Sequence, residues 1–352
     1  MPEVAFAVPG DINTPTGGYI YDKRVIELLP EFGWQVRHIE LPGDYPEPTK
    51  ASLDKTGQLL AATPADALLV IDGLAFGAMP AELVGRIKQR IIGLVHHPLA
   101  LETGIAKERV AYLVRTEREA LARTIRVIAT SPSTAELLAR DFGVPAARIS
   151  VATPGTEPAP RARGSDGPPR LLSVGSVTAR KGYDTLVAAL AQISDLAWES
   201  RIVGSLDRDP MAPKALREAI ARAKLEKRVA LLGSLDEKAL AAEYGRARLF
   251  VLPSHFEGYG MAFAEALARG LPIVGCAGGA VTTTVPADAG VLVPPGDANA
   301  LAAALRKLLS HPAELSLRAD AAWRHAERLP RWRDTAAKFA AALDIAHKEK
   351  IA

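Results

Sequence analysis

The sequence Ser254-His-Phe-Glu-Gly-Tyr-Gly-Met-Ala-Phe-Ala-Glu-Ala-Leu-Ala-Arg-Gly-Leu-Pro272 leads from a glycine-broken loop into an amphipathic segment. The apolar residues 250–253 just before it are typical of a buried parallel strand. Residues 261–269 have the composition of a helix, and the glycine and proline that follow are stop signals. The stretch therefore predicts a strand, a loop and a helix in succession, which is the repeating unit of parallel α/β folds.

Two glutamates flank the start of this predicted helix. Gly258 and Gly260 let the backbone come close to a ligand, and the free N–H groups of a helix start favour an anion. Glu257 and Glu265 would repel phosphate but accept hydrogen bonds from hydroxyls on either side of it. The pattern predicts a site for a nucleotide sugar, whose diphosphate has hydroxyls on both sides. A glycine turn with two solvated glutamates is the alternative that spacing alone leaves open.

Strand-like and helix-like segments alternate along almost the whole chain. The predicted strands of the first half lie near residues 4–8, 34–40, 67–71, 90–95, 126–129 and 149–152, with amphipathic stretches such as 18–29 and 105–123 between them. After a segment rich in proline and glycine, predicted strands recur near residues 171–174, 200–203, 229–232, 249–252, 273–275 and 291–293. Two such arrays predict two doubly wound domains that face each other across a cleft.

The paired glutamates carry a family resemblance. The run from Glu257 to Met261 and the run that follows from Glu265 resemble the signature of retaining glycosyltransferases with the GT-B fold, the large family 4. The resemblance implies that Glu257 contacts the transferred sugar and that Glu265 accepts the ribose hydroxyls. It also implies that the backbone of Gly258, Tyr259, Gly260 and Met261 holds the sugar and the diphosphate.

A second element of the family lies in the run Val174-Gly-Ser-Val-Thr-Ala-Arg-Lys-Gly182. Lys181 falls on the family's diphosphate-binding lysine, whereas Ser176 stands where the family has arginine. Arg180 could supply the missing charge, because a departing diphosphate calls for converging cations; an exposed arginine at a helix start is the alternative. Thr283 is another departure, since family members often carry a glutamate at that point.

The first half contains weaker candidates at the predicted carboxyl ends of its strands, where doubly wound folds bind ligands. Gly17 and Gly18 resemble the family's N-terminal glycine loop. His96 follows a predicted strand and resembles the family histidine that contacts the donor sugar, although His97 could be the closer one, or either could be a buried loop residue. Asp72 ends another strand and is a candidate on the acceptor side.

The resemblance also predicts the domain organisation. Residues 1–155 would form an N-terminal Rossmann-like acceptor domain, residues 156–169 a linker, and residues 170–330 a C-terminal Rossmann-like donor domain. In this family the last helices cross back to the first domain, so residues 331–352 are expected to do the same.

Composition is that of a water-soluble enzyme. The 352 residues are 48% hydrophobic, which suffices for two cores, and a net charge of +3 gives no argument for a nucleic-acid partner. The N-terminus lacks the pattern of a signal peptide and no apolar run is long enough to cross a bilayer. The sequence therefore predicts a cytoplasmic protein, and leaves peripheral contact with the inner membrane open.

A bound metal or other cofactor is not expected. The single cysteine, Cys276, excludes a zinc cluster of cysteines and an intramolecular disulfide. Asp207 and Asp209 form an Asp-x-Asp pair that could hold a divalent ion, but aspartates in a loop before a helix more often cap it.

The resemblance implies a hexosyltransferase that moves a sugar from a UDP or GDP sugar to an acceptor, with retention and without metal. The acceptor could be a sugar, a lipid or a small metabolite. A nucleotide-sugar epimerase and a non-catalytic nucleotide-sugar binding protein of the same architecture are the alternatives. The first predicted strand lacks the Gly-x-Gly-x-x-Gly turn expected of a dinucleotide-dependent oxidoreductase.

Overall fold

The computed structural model describes residues 1–103 and 106–349, and the chain divides into two compact units. The N-terminal unit comprises Met1–Gly155 and the described part of Pro330–Ala352, and the C-terminal unit comprises Thr156–Leu329. Ile105, the predicted first residue of one helix, and residues 350–352 of the predicted C-terminal segment lie outside the described residues.

The N-terminal unit is built on a parallel sheet. Its described strands are β1 (Glu3–Pro9), β2 (Gln35–Leu41), β3 (Leu68–Asp72), β4 (Arg90–Val95), β5 (Arg126–Ala129) and β6 (Ile149–Val151). They lie in the order β2-β1-β3-β4-β5-β6, with every described pairing parallel. Strands β3 and β5 are buried throughout, as expected of parallel strands covered by helices on both faces.

Helices cover this sheet. Those described are α1 (Gly17–Leu28), α2 (Lys50–Ala61), α3 (Gly73–Phe76), α4 (Ala81–Arg86), α5 (Lys107–Ala122), α6 (Pro132–Asp141) and, at the C-terminal end, α14 (Trp332–Lys348). Side-chain caps fix several of their starts: the hydroxyls of Thr16, Thr49 and Ser131 and the carboxylate of Asp72 accept first-turn N–H groups.

The last helix completes the N-terminal unit. Phe339 of α14 stacks on Phe6 of β1 with ring centroids 5.8 Å apart. The Thr335 hydroxyl donates to the Thr153 carbonyl at 2.8 Å, and the Trp34 indole donates to Asp344 at 3.1 Å. The chain thus returns from the C-terminal unit to cover the sheet in which it began.

The C-terminal unit repeats the architecture. Its described strands are β7 (Arg170–Val174), β8 (Glu199–Val203), β9 (Val229–Gly233), β10 (Leu249–Leu252), β11 (Ile273–Cys276) and β12 (Gly290–Val293). Its described helices are α7 (Tyr183–Gln192), α8 (Ala212–Arg222), α9 (Glu237–Arg246), α10 (Met261–Leu267), α11 (Val281–Thr284), α12 (Ala298–Ser310) and α13 (Pro312–Ala326). The strand order is β12-β11-β10-β7-β8-β9, again with parallel pairing.

The segment predicted as a linker at 156–169 is irregular but attached to the C-terminal unit. The Ala162 N–H donates to the Arg269 carbonyl at 2.8 Å, and the Arg163 N–H donates to the Gly245 carbonyl at 3.0 Å. Arg161 also forms an ion pair with Asp320. Proline and glycine content identified a segment without regular structure, but backbone hydrogen bonds to the unit that follows are invisible in composition.

The strand orders place a switch point in each sheet, where successive connections leave in opposite directions. In the C-terminal unit the switch lies between the neighbouring strands β7 and β10, and in the N-terminal unit it lies between β1 and β3. Ligands of open α/β sheets bind at such points, beyond the carboxyl ends of the strands. None of the described helices combines the length and the apolarity that crossing a membrane requires.

Candidate functional site

Two loops meet at the switch point of the C-terminal unit. One follows β7 and the other follows β10, and the His255 N–H donates to the Arg180 carbonyl at 2.8 Å. Gly182 ends the first loop with φ +66°, and a Cβ atom on it would lie 2.2 Å from the carbonyl oxygen of Pro253. Only glycine permits both the backbone angle and this approach. The sequence therefore brings the Arg180–Lys181 pair directly beside the loop that carries Glu257.

Arg180, Lys181 and Glu257 form one ionic cluster. Lys181 Nζ lies 2.6 Å from Glu257 Oε1, and Arg180 Nη1 lies 3.3 Å from Glu257 Oε2. Arg180 Nη1 also donates to the Phe256 carbonyl at 2.8 Å. Glu257 is only 7% exposed. Lys181 and Glu257, which are 76 residues apart in sequence, are thus in direct contact, and Arg180 contacts the same carboxylate.

The charges of this cluster are fixed over the physiological range. Burial on its own would raise the pKa of Glu257, but Lys181 and Arg180 outweigh burial and lower this pKa to about 2. Glu257 is therefore ionised, and two cations face one carboxylate. The remaining positive charge gives the cluster an affinity for an anion, while Glu257 can accept hydrogen bonds from hydroxyl groups.

The predicted roles had separated Glu257 from the two cations, with the carboxylate on hydroxyls and the cations on diphosphate. In the structure both cations bond to the carboxylate of Glu257. A bound diphosphate would therefore compete with Glu257 for Arg180 and Lys181. The pairing was not predicted, because sequence spacing does not show that the loops after β7 and β10 lie side by side.

The glycine and serine before the lysine shape its surroundings. A Cβ atom on Gly175 would lie 3.0 Å from Lys181 Cε, so a larger residue would press on the lysine chain. The Tyr183 hydroxyl donates to the Gly175 carbonyl at 2.8 Å and fixes this loop. Ser176, at the family's arginine position, follows directly and is half-buried.

A glycine pair after β11 holds the backbone of Glu257. Glu257 forms an isolated parallel bridge with Gly279, and the Ala280 N–H donates to the Glu257 carbonyl at 2.8 Å. Gly279 has φ +62°, and its Cβ would lie 2.3 Å from that carbonyl oxygen. Thr283 lies in α11, where its hydroxyl donates to the Ala280 carbonyl at 2.9 Å. Gly279 and the Ala280 N–H thus position the backbone of Glu257.

Glu265, in the second turn of α10, is held by a tyrosine that no sequence motif identifies. The Tyr244 hydroxyl donates to Glu265 Oε2 at 2.9 Å, and the Arg269 guanidinium lies 4.3 Å from the Tyr244 ring centroid. Burial raises the pKa of Glu265, against the opposing effects of Tyr244 and Arg269. Tyr244 lies in the last turn of α9, five residues before β10 begins, and only the fold brings it to α10.

Gly258, Tyr259, Gly260 and Met261 connect the two glutamates. Gly260 adopts the left-handed conformation, with φ 89°, immediately before Met261 begins α10. The Thr284 hydroxyl donates to the Tyr259 carbonyl at 2.7 Å, and burial raises the pKa of the Tyr259 phenol to about 12. Tyr259 is therefore neutral at physiological pH.

The N-terminal unit contains a second polar cluster, centred on His96 after β4. His96 Nε2 lies 3.0 Å from Asp22 Oδ1 and 3.2 Å from Asp72 Oδ2. A Cβ atom on Gly18 would lie 3.5 Å from the His96 ring. Three of the predicted residues, Gly18, Asp72 and His96, are thus brought together, and Gly17 begins the same helix as Gly18.

Asp22 was missed by the sequence reasoning. It is fully buried and lies one helical turn after Gly18, so both share a face of α1. The signal available in the sequence was an acidic residue four positions after Gly18, although its burial is visible only in the structure. His97 points to a different partner, with Nε2 3.4 Å from Glu102 Oε2. The contact between His96 and the donor sugar that the resemblance implies stays a prediction.

The electrostatics of this cluster favour a charged imidazole. Burial alone would lower the pKa of His96, but Asp22 and Asp72 outweigh it and raise this pKa to about 10. Burial raises the pKa of Asp22, and the neighbouring Asp72 adds to this effect while His96 opposes it. An imidazolium between two carboxylates is the arrangement these shifts describe.

The described residues contain one group of side chains that could hold a metal ion, namely Asp22, Asp72 and His96. Their possible ligand atoms lie within 4.8 Å of one another. The nitrogen–oxygen distances of 3.0 and 3.2 Å are hydrogen-bond distances, and we interpret the group as hydrogen bonded. Asp209 accepts the N–H groups of Met211 and Ala212 at 3.0 and 3.1 Å, as a capping residue does.

Comparison with known proteins places the chain in a family. The family model described as Glycosyl transferases group 1 matches residues 168–311, and the model described as Glycosyltransferase Family 4 matches residues 29–159. A glycogen synthase of Mycobacterium tuberculosis is 32% identical over 204 residues, which are 56% of this chain and 48% of that protein. A D-inositol 3-phosphate glycosyltransferase of Rhodococcus opacus is 31% identical over 255 residues, 68% of this chain and 57% of that protein.

The chain thus spans about half the length of these curated relatives. Among solved structures, a sucrose-phosphate synthase from Thermosynechococcus elongatus has a TM-score of 0.84 at 25% identity and covers 98% of this chain and 99% of its own. This likeness and the two parallel sheets show the GT-B fold. The chain belongs to the group 1 glycosyltransferases, family 4.

Proposed function

We propose that this chain is a glycosyltransferase that moves a sugar from a nucleoside diphosphate sugar to an acceptor. The observation that carries the proposal is the cluster of Arg180, Lys181 and Glu257 at the switch point of the C-terminal unit. Two cations and a carboxylate suit a ligand that joins an anionic diphosphate to a hydroxylated sugar. The activities named for the relatives are glycosyl transfers, which supports the same reaction type here.

Donor binding would rearrange the cluster. Arg180 and Lys181 pair with the diphosphate in place of Glu257, and Glu257 then accepts hydrogen bonds from the transferred sugar. Glu265, whose Oε2 is already oriented by Tyr244, accepts hydrogen bonds from the ribose. The exchange replaces one set of charge-assisted bonds with another. Because the existing bonds already hold these side chains in place, the donor site is ordered before the donor binds.

The proposed mechanism is a front-face displacement with retention of configuration. The bond between the sugar's anomeric carbon and the diphosphate oxygen breaks first. The acceptor oxygen then bonds to the same face of that carbon, while the leaving phosphate takes the acceptor's proton. Arg180 and Lys181 stabilise the charge that develops on the diphosphate, and no side chain acts as a covalent nucleophile.

The donor is proposed to be a UDP or GDP sugar, and the acceptor a sugar, a lipid or a small metabolite. The relatives are named for different compounds, namely glycogen, D-inositol 3-phosphate and sucrose phosphate, so their names do not select an acceptor for this chain. The proposal places the reaction in the cytoplasm.

Release of nucleoside diphosphate tests the reaction type. Incubation with a panel of UDP and GDP sugars should release diphosphate at a rate that rises when acceptors are added, because transfer completes the displacement that hydrolysis completes only slowly. An epimerase would convert the donor without releasing diphosphate. A binding protein would retain the donor intact, so either result would contradict the proposed transfer.

Transfer should survive removal of divalent ions. Arg180 and Lys181 already supply positive charge to the diphosphate, so a metal ion would be redundant there. We expect turnover in EDTA to stay within about twofold of turnover in magnesium, since no charge on the diphosphate then depends on the ion. Asp209→Asn should remain active, because Asp209 caps α8. Loss of turnover in EDTA with recovery in magnesium or manganese would show that the metal-independent mechanism is wrong.

A further inference from the structure

We infer that Asp22 and Asp72 together hold His96 with a proton on Nε2, so that Asp22 is a positioning residue and His96 meets a substrate through Nδ1. The inference starts from the geometry of the N-terminal unit and extends to catalysis only if the proposed glycosyl transfer is correct. Asp22 lies outside every motif that the family resemblance used.

Both carboxylates approach the same ring nitrogen. Asp22 Oδ1 lies 3.0 Å and Asp72 Oδ2 lies 3.2 Å from His96 Nε2. The other oxygen of Asp72 is occupied, because Oδ1 accepts the Leu74 N–H at 2.9 Å at the start of α3. The backbone therefore fixes Asp72, and Asp72 in turn fixes the Nε2 side of the imidazole. A ring held in this way has only Nδ1 left for a further hydrogen bond.

Asp22 is the least solvated member of the group. Its residue is 0% exposed, and its Oδ2 atom is buried with no hydrogen-bond partner among the described residues. An ionised carboxylate in that position is costly unless a cation or a proton compensates it. His96 is the cation within reach, and a proton shared with Asp72 is the other compensation.

The other described groups around His96 have partners of their own and do not compete for Nε2. Tyr21 of α1 meets the ring edge-on, with centroids 5.2 Å apart, and its hydroxyl donates to the Ala152 carbonyl at 2.8 Å. Trp332 of α14 packs on the far side of Tyr21, at 6.1 Å between centroids. His97, next along the chain, faces Glu102. Asp22 of α1 and Asp72 at the end of β3 are therefore the charged groups that control His96.

The charges of Asp22, Asp72 and His96 determine how many protons the cluster holds. Nε2 carries one hydrogen, for which two carboxylate oxygens compete. An imidazolium with two carboxylates has a net charge of −1, and one further proton on the carboxylate pair makes the buried group neutral. The pKa of His96 is raised to about 10 and that of Asp22 to about 7, so Asp22 loses its proton before the imidazole does as pH rises.

The consequence for the reaction is that His96 can only donate a hydrogen bond to its substrate. An imidazolium bonded through Nε2 presents Nδ1 as a donor only, whereas a neutral histidine could accept a hydrogen bond there. His96 would then bind an oxygen of its substrate and would not act as a base. This assignment agrees with a mechanism in which the leaving phosphate takes the acceptor's proton.

Nuclear magnetic resonance of the ¹⁵N-histidine-labelled protein tests the protonation state without relying on activity. The His96 signals are assigned by their loss in His96→Asn, and both ring nitrogens are followed from pH 5.5 to 9.5. We expect His96 to keep both protons past pH 8. Asp22→Asn should move its midpoint down by more than one pH unit, and Asp72→Asn should do the same.

Asp288→Asn is the matched control, because Asp288 pairs with His325 at 2.8 Å in the C-terminal unit. It should alter the His325 signals and leave those of His96 unchanged. A wild-type His96 that titrates near 6.5 would overturn the inference, and so would ring signals characteristic of a bound metal. If Asp22→Asn does not fold, the His96 titrations of the wild-type protein and of Asp72→Asn still test the protonation state of His96.

Kinetics test the positioning role separately. With the proposed transfer established, Asp22→Asn should lower kcat roughly tenfold or more, because the imidazolium donor is weakened, and should change the donor KM less. If Asp22→Asn shifts the His96 titration but leaves kcat unchanged, the assignment of the His96 protons stands and the positioning role of Asp22 is wrong. A protein that releases no diphosphate from any donor would refute the proposed function while the resonance result still stands.

Discussion

Lys181→Ala should fold normally and turn over roughly 30- to 1,000-fold more slowly than the unaltered protein, equivalent to about 2–4 kcal/mol of transition-state stabilisation. The reason is that negative charge grows on the diphosphate as the sugar leaves, and Lys181 lies where the cluster would meet that charge. Lys181 Nζ is 2.6 Å from Glu257 Oε1 and its side chain is only 14% exposed, so another cation cannot easily replace it. Release of diphosphate from the donor, with acceptor present, is the measurement.

Lys307→Ala is the matched control, because Lys307 forms an ion pair with Glu314 at 3.1 Å on the surface of the same unit, with 60% of its side chain exposed. That variant should retain near-normal turnover, since exposed pairs contribute little. Circular dichroism and thermal unfolding establish that both variants are folded. Near-normal turnover in folded Lys181→Ala would refute the assignment of Lys181 to the diphosphate.

Arg180→Ala extends the same test to the departure from the family pattern. If Arg180 supplies the charge that Ser176 lacks, its loss should slow turnover by a factor similar to that for Lys181. Arg180 also donates to the Phe256 carbonyl, so Arg180→Lys separates charge from hydrogen-bond geometry. If Arg180→Ala leaves turnover unchanged, Lys181 stabilises the charge on the diphosphate without a contribution from Arg180.

Much of the fold was predictable because its signals are local. Most of the predicted strands are short apolar runs, and the strands β7 and β10 begin and end within a residue of the predicted bounds. The stop after Met261–Leu267 follows from Gly270 and Pro272, which no helix accommodates easily. Local chemistry therefore fixed the elements without showing which of them are neighbours.

The candidate site was harder to predict, because its contacts depend on strand order. Glu257 pairs with Arg180 and Lys181 since β10 lies beside β7, a fact that no residue of either loop reveals. Tyr244 reaches Glu265 and Asp22 reaches His96 for the same kind of reason, from helices whose faces only the packing defines. The family motifs selected residues that are expected to contact a ligand. They passed over the residues that hold those side chains in place.

Calorimetry with bare UDP and GDP should separate the two glutamates. Glu265→Ala should weaken diphosphate binding by roughly 10- to 150-fold, because a hydrogen bond between a charged acceptor and a ribose hydroxyl contributes about 1.5–3 kcal/mol. Glu257→Ala should leave binding of the bare diphosphate unchanged or tighter, because it releases Arg180 and Lys181 from their internal partner. Its cost should appear in sugar transfer, where the carboxylate has hydroxyls to bind.

Tyr244→Phe serves as the graded control for the first half of this prediction. It removes the hydroxyl that donates to Glu265 Oε2 at 2.9 Å while keeping the ring against Arg269, so it should weaken nucleoside diphosphate binding less than Glu265→Ala does. Glu265→Ala should weaken binding of the intact donor about as much as binding of the bare nucleoside diphosphate. Glu257→Ala should weaken binding of the intact donor more than binding of the bare nucleoside diphosphate. Equal weakening of the bare diphosphate by both alanine variants would mean that Glu257 and Glu265 do not divide sugar and ribose between them, and that the roles carried over from the family are wrong for this chain.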